Sequence, residues 1–160
     1  MTSPINFQLS SSVLSENFIH TIQSRELGKS PQIIVSLSQM MAELQTTLAT
    51  KELIEIFIRH LSTQVEFEQY RFSSENLEIS VENSNSAVHT CSYGLTLKKV
   101  NLGTITFFRS QPFDEQEMEM IENHLATLIY PLRNAHEYEE LQSITVSDEN
   151  YYKDSLIFND

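Results

Sequence analysis

Apolar residues recur along this chain first at helical spacing, then at every second position, then at helical spacing again. Near the N-terminus Val13, Leu14, Phe18, Ile19 and Ile22 predict a short amphipathic helix between Ser12 and Glu26. Gly28 interrupts it. Ser30 and Pro31 then supply an N-cap and a proline at the first helical position, where its missing N–H costs nothing. From Ile34 the apolar residues Leu37, Met41, Leu44 and Leu48 alternate steps of three and four, the narrow seam that two packed helices share. Thr50 is the expected cap of a further helix whose wider face, Leu53, Ile54, Phe57, Ile58 and Leu61, suits packing on a sheet.

The rhythm changes at Val65. Residues 65–72 predict one strand, Ser73-Ser-Glu-Asn76 a turn, and residues 77–81 a second strand with strict alternation. After the polar Asn83-Ser-Asn-Ser86, the odd positions Ala87, His89, Cys91, Tyr93, Leu95 and Leu97 share one face of an extended segment that Gly94 is expected to bend. Val100-Asn-Leu-Gly103 reverses the chain into a last strand ending at Arg109. Pro112 ends the ladder, and Asp114 with Glu115 and Glu117 opens a long helix. Its apolar positions, Met118, Ile121, Leu125, Leu128, Leu132 and Ala135, repeat the seam of the helix that begins near Ile34. Pro131 removes one helical hydrogen bond and predicts a kink over residues 126–131.

The predicted fold is α+β: an antiparallel sheet of four or five strands flanked by N- and C-terminal helices that bundle together. The division is an N-terminal extension (residues 1–28), one domain with its C-terminal helix (29–142) and an acidic tail or shortened linker (143–160). The matching seams pair with each other inside one chain or form a four-helix interface between two copies. For a homodimer the interface candidates are Leu37, Met41, Leu44, Leu48, Met118, Ile121, Leu125, Leu128 and Leu132.

At 160 residues and 40% hydrophobic content the chain has room for one real core. Its 22 acids against 10 bases, a formal charge of −12, repel phosphate backbones and argue against nucleic acid as a partner. The sequence has neither an apolar run of membrane-spanning length nor a secretory leader pattern, and its one cysteine, Cys91, fits a reducing compartment; a cytoplasmic location without membrane insertion is expected.

The sequence lacks a glycine-rich phosphate loop, a Gly-x-Ser-x-Gly elbow and a His-Glu-x-x-His helix, so no enzyme, cofactor or metal centre is predicted. His89 and Cys91 lie two apart on one strand face, but two soft ligands do not make a site, and a packed histidine beside a small thiol is the simpler reading. His124 and His136 are expected on a solvated helix face. If a small molecule is bound between sheet and helices, the pocket candidates are His89, Cys91, Tyr93 and Phe107.

Leu102-Gly-Thr-Ile-Thr-Phe-Phe, Pro112-Phe-Asp-Glu-Gln-Glu, Pro131-Leu-Arg-Asn-Ala135 and Tyr138-Glu-Glu-Leu141 together resemble the C-terminal half of a GAF domain. The resemblance covers residues 36–141 and is densest after Gly94. His89-Thr-Cys-Ser-Tyr93 with Tyr130-Pro-Leu-Arg-Asn134 is similar to the compact GAF-like domain upstream of GGDEF domains in some bacterial diguanylate cyclases. The resemblance implies a sensory and dimerisation module of cyclic-di-GMP signalling, acting through its C-terminal helix on a downstream effector domain or partner protein. An alternative expectation is a stand-alone interaction adaptor with no ligand. The chain departs from the family in its short segment before the final hairpin and in lacking a Gly-Gly-Asp/Glu-Glu-Phe sequence.

Overall fold

A computed structural model describes the backbone of residues 5–9, 31–81 and 87–157, and side chains over residues 35–81 and 87–146. The helix expected between Ser12 and Glu26 and the loop at residues 83–86 lie outside the described residues. The elements in chain order are β1 (Ile5–Leu9), α1 (Pro31–Leu44), α2 (Thr50–Leu61), β2 (Gln69–Ser73), β3 (Glu78–Val81), β4 (His89–Leu97), β5 (Val100–Arg109) and α3 (Glu115–Ile157). The α+β class is as the patterning predicts.

The strands form one sheet in the order β1-β4-β5-β2-β3. Four are antiparallel neighbours, and β1 adds to the edge of β4 in parallel, with Phe7 opposite Leu95. This strand was not expected, although Ile5, Phe7 and Leu9 alternate with Asn6 and Gln8 at the period a strand requires. In β4 and β5 the two faces separate cleanly. Cys91, Tyr93, Leu95 and Leu97 are buried with Ile105 and Phe107, whereas Ser92, Thr96, Thr104 and Thr106 on the other face are partly buried and polar. Ser92 and Thr106 hydrogen-bond across the ladder at 2.8 Å.

The buried face carries the helices. Phe57 of α2 stands 6.4 Å from Phe107 of β5 between ring centroids, and Phe67 approaches the same ring at 5.1 Å. Met40 and Leu44 of α1, Leu53 and Leu61 of α2, and Ile121, Leu125, Leu128, Ile129 and Leu132 of α3 complete the core. Each fully buried aliphatic or aromatic side chain of this size contributes about 1.5–3 kcal/mol of burial.

Several boundaries differ from the expectation for local reasons. The first central strand begins at Gln69, because residues 62–68 are turn and coil held by N–H bonds from Gln64 and Val65 to the carbonyl of Leu61. Helix α1 stops at Leu44, so Leu48 lies in the connection to α2. Thr50 is not the cap. Ala49 occupies that position, Thr47 Oγ1 accepts its N–H at 3.1 Å, and the Thr50 hydroxyl instead donates to Glu139 Oε1 at 2.8 Å. The bend expected at Gly94 occurs on the partner strand: the register slips between Leu95 and Thr96, leaving Leu102 as the extra residue beside Gly103, whose φ is +127°. Helix α3 runs unbroken through Pro131 and continues to Ile157, so residues 143–157, expected as a tail, are helical.

Candidate functional site

The predicted ligand cup is filled by its own side chains. Tyr93 and Phe107 are fully buried and Cys91 nearly so, all within the core, while His89 stands exposed at the start of β4 opposite Arg109. Of the four candidates the structure brings three together, and they pack on each other. The Cys91 thiol donates to the Tyr93 hydroxyl at 3.1 Å. Burial pushes the Cys91 thiol above its ordinary range; burial and then the neighbouring sulfur push the Tyr93 phenol up as well. Both groups are therefore neutral and unsuited to nucleophilic or acid–base work. Among the described residues no group of three His, Cys, Asp or Glu side chains is placed to hold a metal ion. A recess bounded by Thr50, Asn76, Asn101, His136 and Glu139 holds about 20 Å³, the room of roughly one water.

The seam residues proposed for a dimer are mostly core. Ile121, Leu125 and Leu128 are 0% exposed, Leu44 and Leu132 1%; Leu37, Met41 and Met118 are partly buried, and Leu48 is exposed in its loop. The two seams meet inside one chain, α1 and α3 packing with α2 over the sheet, so these buried side chains are closed to a second copy. His124 also departs from expectation. It is 1% exposed, with Nδ1 2.8 Å from the Met120 carbonyl, and the Gln64 amide lies 3.5 Å from its Nε2 and donates to Ser36 Oγ at 2.9 Å. Ser36, Gln64 and His124 thus form a polar tie between α1, the end of α2 and α3. A lone histidine among apolar neighbours on a helix carries this signal weakly, because its position lies at the edge of the seam.

The densest polar geometry is the junction from β5 to α3, where the sequence predicts Asp114 at the helix start and gives Arg109 no role. Ile105, Phe107 and Arg109 share the inward face of β5, so the alternation carries a guanidinium under the end of the sheet. Arg109 is 8% exposed. Its Nη1 donates to the Glu66 carbonyl and to Glu117 Oε1, each at 2.8 Å; its Nε donates to the Gln111 carbonyl at 2.9 Å, and its Nη2 to the Pro112 carbonyl at 2.6 Å and to Glu117 Oε2. The guanidinium also lies 4.1 Å over the Phe113 ring. Glu117 closes a capping box with Asp114: the Glu117 N–H donates to Asp114 Oδ1 at 2.8 Å and the Asp114 N–H to Glu117 Oε2 at 3.0 Å. The hydrogen bond from Arg109 holds the Glu117 carboxyl below its usual range, and the same bond raises Arg109. A charged residue at an inward strand position was the available signal. The arrangement fixes the direction in which α3 leaves the sheet.

At its other end α3 outruns the fold. Its last buried residue is Ala135, and Glu139 takes the hydrogen bond from Thr50. Beyond them Tyr138 is 44% exposed, Leu141 65%, and Ile144 and Val146 59%, values that leave these apolar side chains without cover among the described residues. Residues 137–157 extend about 31 Å at helical rise. Among the described residues no helix is long and apolar enough to cross a membrane. No protein-family model, curated protein or solved structure matches this chain.

Proposed function

We propose that this chain is a non-catalytic regulatory and interaction module with a GAF-like α+β fold, which engages its effector through the end of α3. The observation that carries this reading is the contrast between the two ends of that helix. Its start is clamped by Arg109 and Glu117, its middle is core, and beyond Glu139 it leaves the domain with Leu141, Ile144 and Val146 uncovered. A predominantly polar helix of that length is marginal alone in water, so the energetics favour a partner along it. In the GAF-like modules that the sequence resembles, an effector such as a GGDEF domain follows this helix, which supports reading cyclic-di-GMP signalling as the setting.

The adaptor form of the reading is favoured over a ligand sensor by Cys91, Tyr93 and Phe107, which occupy the interior a ligand would need. The two forms separate in a thermal-shift panel of cyclic mono- and dinucleotides and haem. The adaptor reading expects no saturable rise in Tm with any of them. A concentration-dependent rise, lost in a Tyr93→Ala variant that still folds, overturns it in favour of the sensor.

A further inference from the structure

We propose that the outer face of the projecting part of α3, formed by Tyr138, Leu141 and Ile144, docks a basic amphipathic helix of a partner protein. The proposal rests on the interaction-module reading and names its partner class.

At about 100° per residue these three positions fall within an arc of roughly 120°, on the side of the helix turned away from the arc of Leu128, Leu132 and Ala135. The inner arc is spent on the core, with all three side chains at 0–1% exposure, whereas the outer three stand at 44%, 65% and 59%. Glu137 falls within the angular span of the stripe, one residue before Tyr138, and Glu140 lies along one edge of it; their side chains are 50% and 64% exposed although each has a partner one turn back, Arg133 and His136. A row of apolar residues at steps of three, with exposed carboxylates at its start and along one edge, matches a helix with an apolar stripe and lysine or arginine beside it.

Charge decides between the possible occupants. Residues 137–157 contain the acids Glu137, Glu139, Glu140, Asp148, Glu149 and Asp154 and the single base Lys153, a net of −5 (1 − 6). A second copy laid along this helix in either direction sets −5 against −5 within a Debye length. An anionic lipid surface is repelled for the same reason. A basic helix instead gains attraction over the whole projection, which also speeds its encounter.

The test uses the full chain and a fluorescein-labelled 18-residue Leu/Lys amphipathic peptide, with a Leu/Glu peptide of the same pattern and a scrambled Leu/Lys peptide as comparisons. Anisotropy is expected to give saturable binding of the Leu/Lys peptide alone, weakened several-fold between 50 and 200 mM salt as a rough design range. Leu141→Ser with Ile144→Ser should weaken it at least tenfold, and Glu137→Gln with Glu140→Gln several-fold. Glu66→Gln with Glu119→Gln, which removes two exposed acids near the start of α3, should leave it unchanged. Equal loss in that control pair, or equal binding of the scrambled peptide, means general charge attraction and overturns the proposal. Absence of binding at 50 mM salt overturns it as well. If light scattering shows a dimer that L141S/I144S dissociates, the occupant is a second copy; the partner class falls while the interaction-module reading stands. Ligand-induced stabilisation of the interior would instead remove the underlying reading.

Discussion

Arg109 and Glu117 are bound to each other, yet their removal should cost different amounts, because only one of them serves as a hub. Arg109→Met keeps the aliphatic stem against the core and deletes the guanidinium. That strands the Glu117 carboxylate and leaves the carbonyls of Glu66, Gln111 and Pro112 to find new donors at a position 8% exposed. Breaking a buried pair by removing one partner costs about 3–5 kcal/mol. Glu117→Gln leaves Arg109 its three carbonyls, and the amide oxygen still accepts from the guanidinium or the Asp114 N–H, so about 1–2 kcal/mol is expected. The midpoint of urea unfolding, followed by far-UV circular dichroism at pH 7 with an unchanged m-value, reads both. The pair has a pH signature too. The folded carboxyl of Glu117 titrates below its ordinary value of 4.5, so its stabilisation is fully present above that value and is lost as pH falls through the folded pKa. Glu117→Gln should therefore lose less stability than the parent between neutral and acid pH. Equal cost for the two variants, a cost under about 1 kcal/mol for R109M, or an unchanged acid slope in E117Q would refute the hub.

Three further variants test the fold. Lys98 and Lys99 form the tip of the β4–β5 hairpin with φ of +49° and +70°, a geometry that favours Asn-Gly; K98N with K99G should raise stability by about 1–2 kcal/mol, read as a higher urea midpoint. Gly103→Ala should cost about 2–4 kcal/mol by the same assay, since a Cβ there would lie 2.7 Å from the Ser73 carbonyl oxygen at a φ of +127°. Leu125→Glu places a carboxylate at a fully buried position, so it should unfold the monomer or cost more than about 4 kcal/mol; a folded sheet with only a changed oligomeric state by light scattering would contradict the core assignment.

The elements with a full apolar face were legible in the sequence. The seam from Ile121 to Ala135 marks the buried side of α3, and the alternation from Cys91 to Leu97 marks the buried side of β4. What periodicity does not carry is the identity of the surface a seam meets. Steps of three and four fit another chain as well as the same chain, and here α1, α2 and the sheet occupy that surface. Hydrogen-bonded details were equally out of reach, because they depend on contacts distant in sequence. Thr50 carries a cap-forming side chain, but Glu139, 89 residues later, takes its hydroxyl. Residues 143–157 show no apolar seam, which hid a helix that neither glycine nor proline interrupts. The pocket candidates shared a face as the alternation required; whether that face met a ligand or Phe57 and Phe67 was a question of packing.

That packing restricts how a signal enters or leaves the molecule. Interiors at crystal-like density have few small adjustments available, so a change in the ring cluster around Phe107 would disturb the whole core rather than one helix. Helix α3 is fixed at its start through Arg109 and again at Glu139 through Thr50, a span that includes every buried residue it contributes. Only the stretch beyond Glu139 is free to respond independently. A partner that orders this stretch stabilises the state in which it is helical by RT ln(1 + [partner]/Kd), about 2.7 kcal/mol at a hundredfold excess over Kd. By linkage, that stabilisation reaches the domain through the unbroken backbone of α3 and through the Thr50–Glu139 hydrogen bond, so Thr50→Val should weaken the coupling between domain stability and partner occupancy by about 1 kcal/mol while leaving the outer stripe intact. The hydrogen bond between Thr50 and Glu139 is the last side-chain tie between α3 and the rest of the described fold before the exposed Leu141 and Ile144.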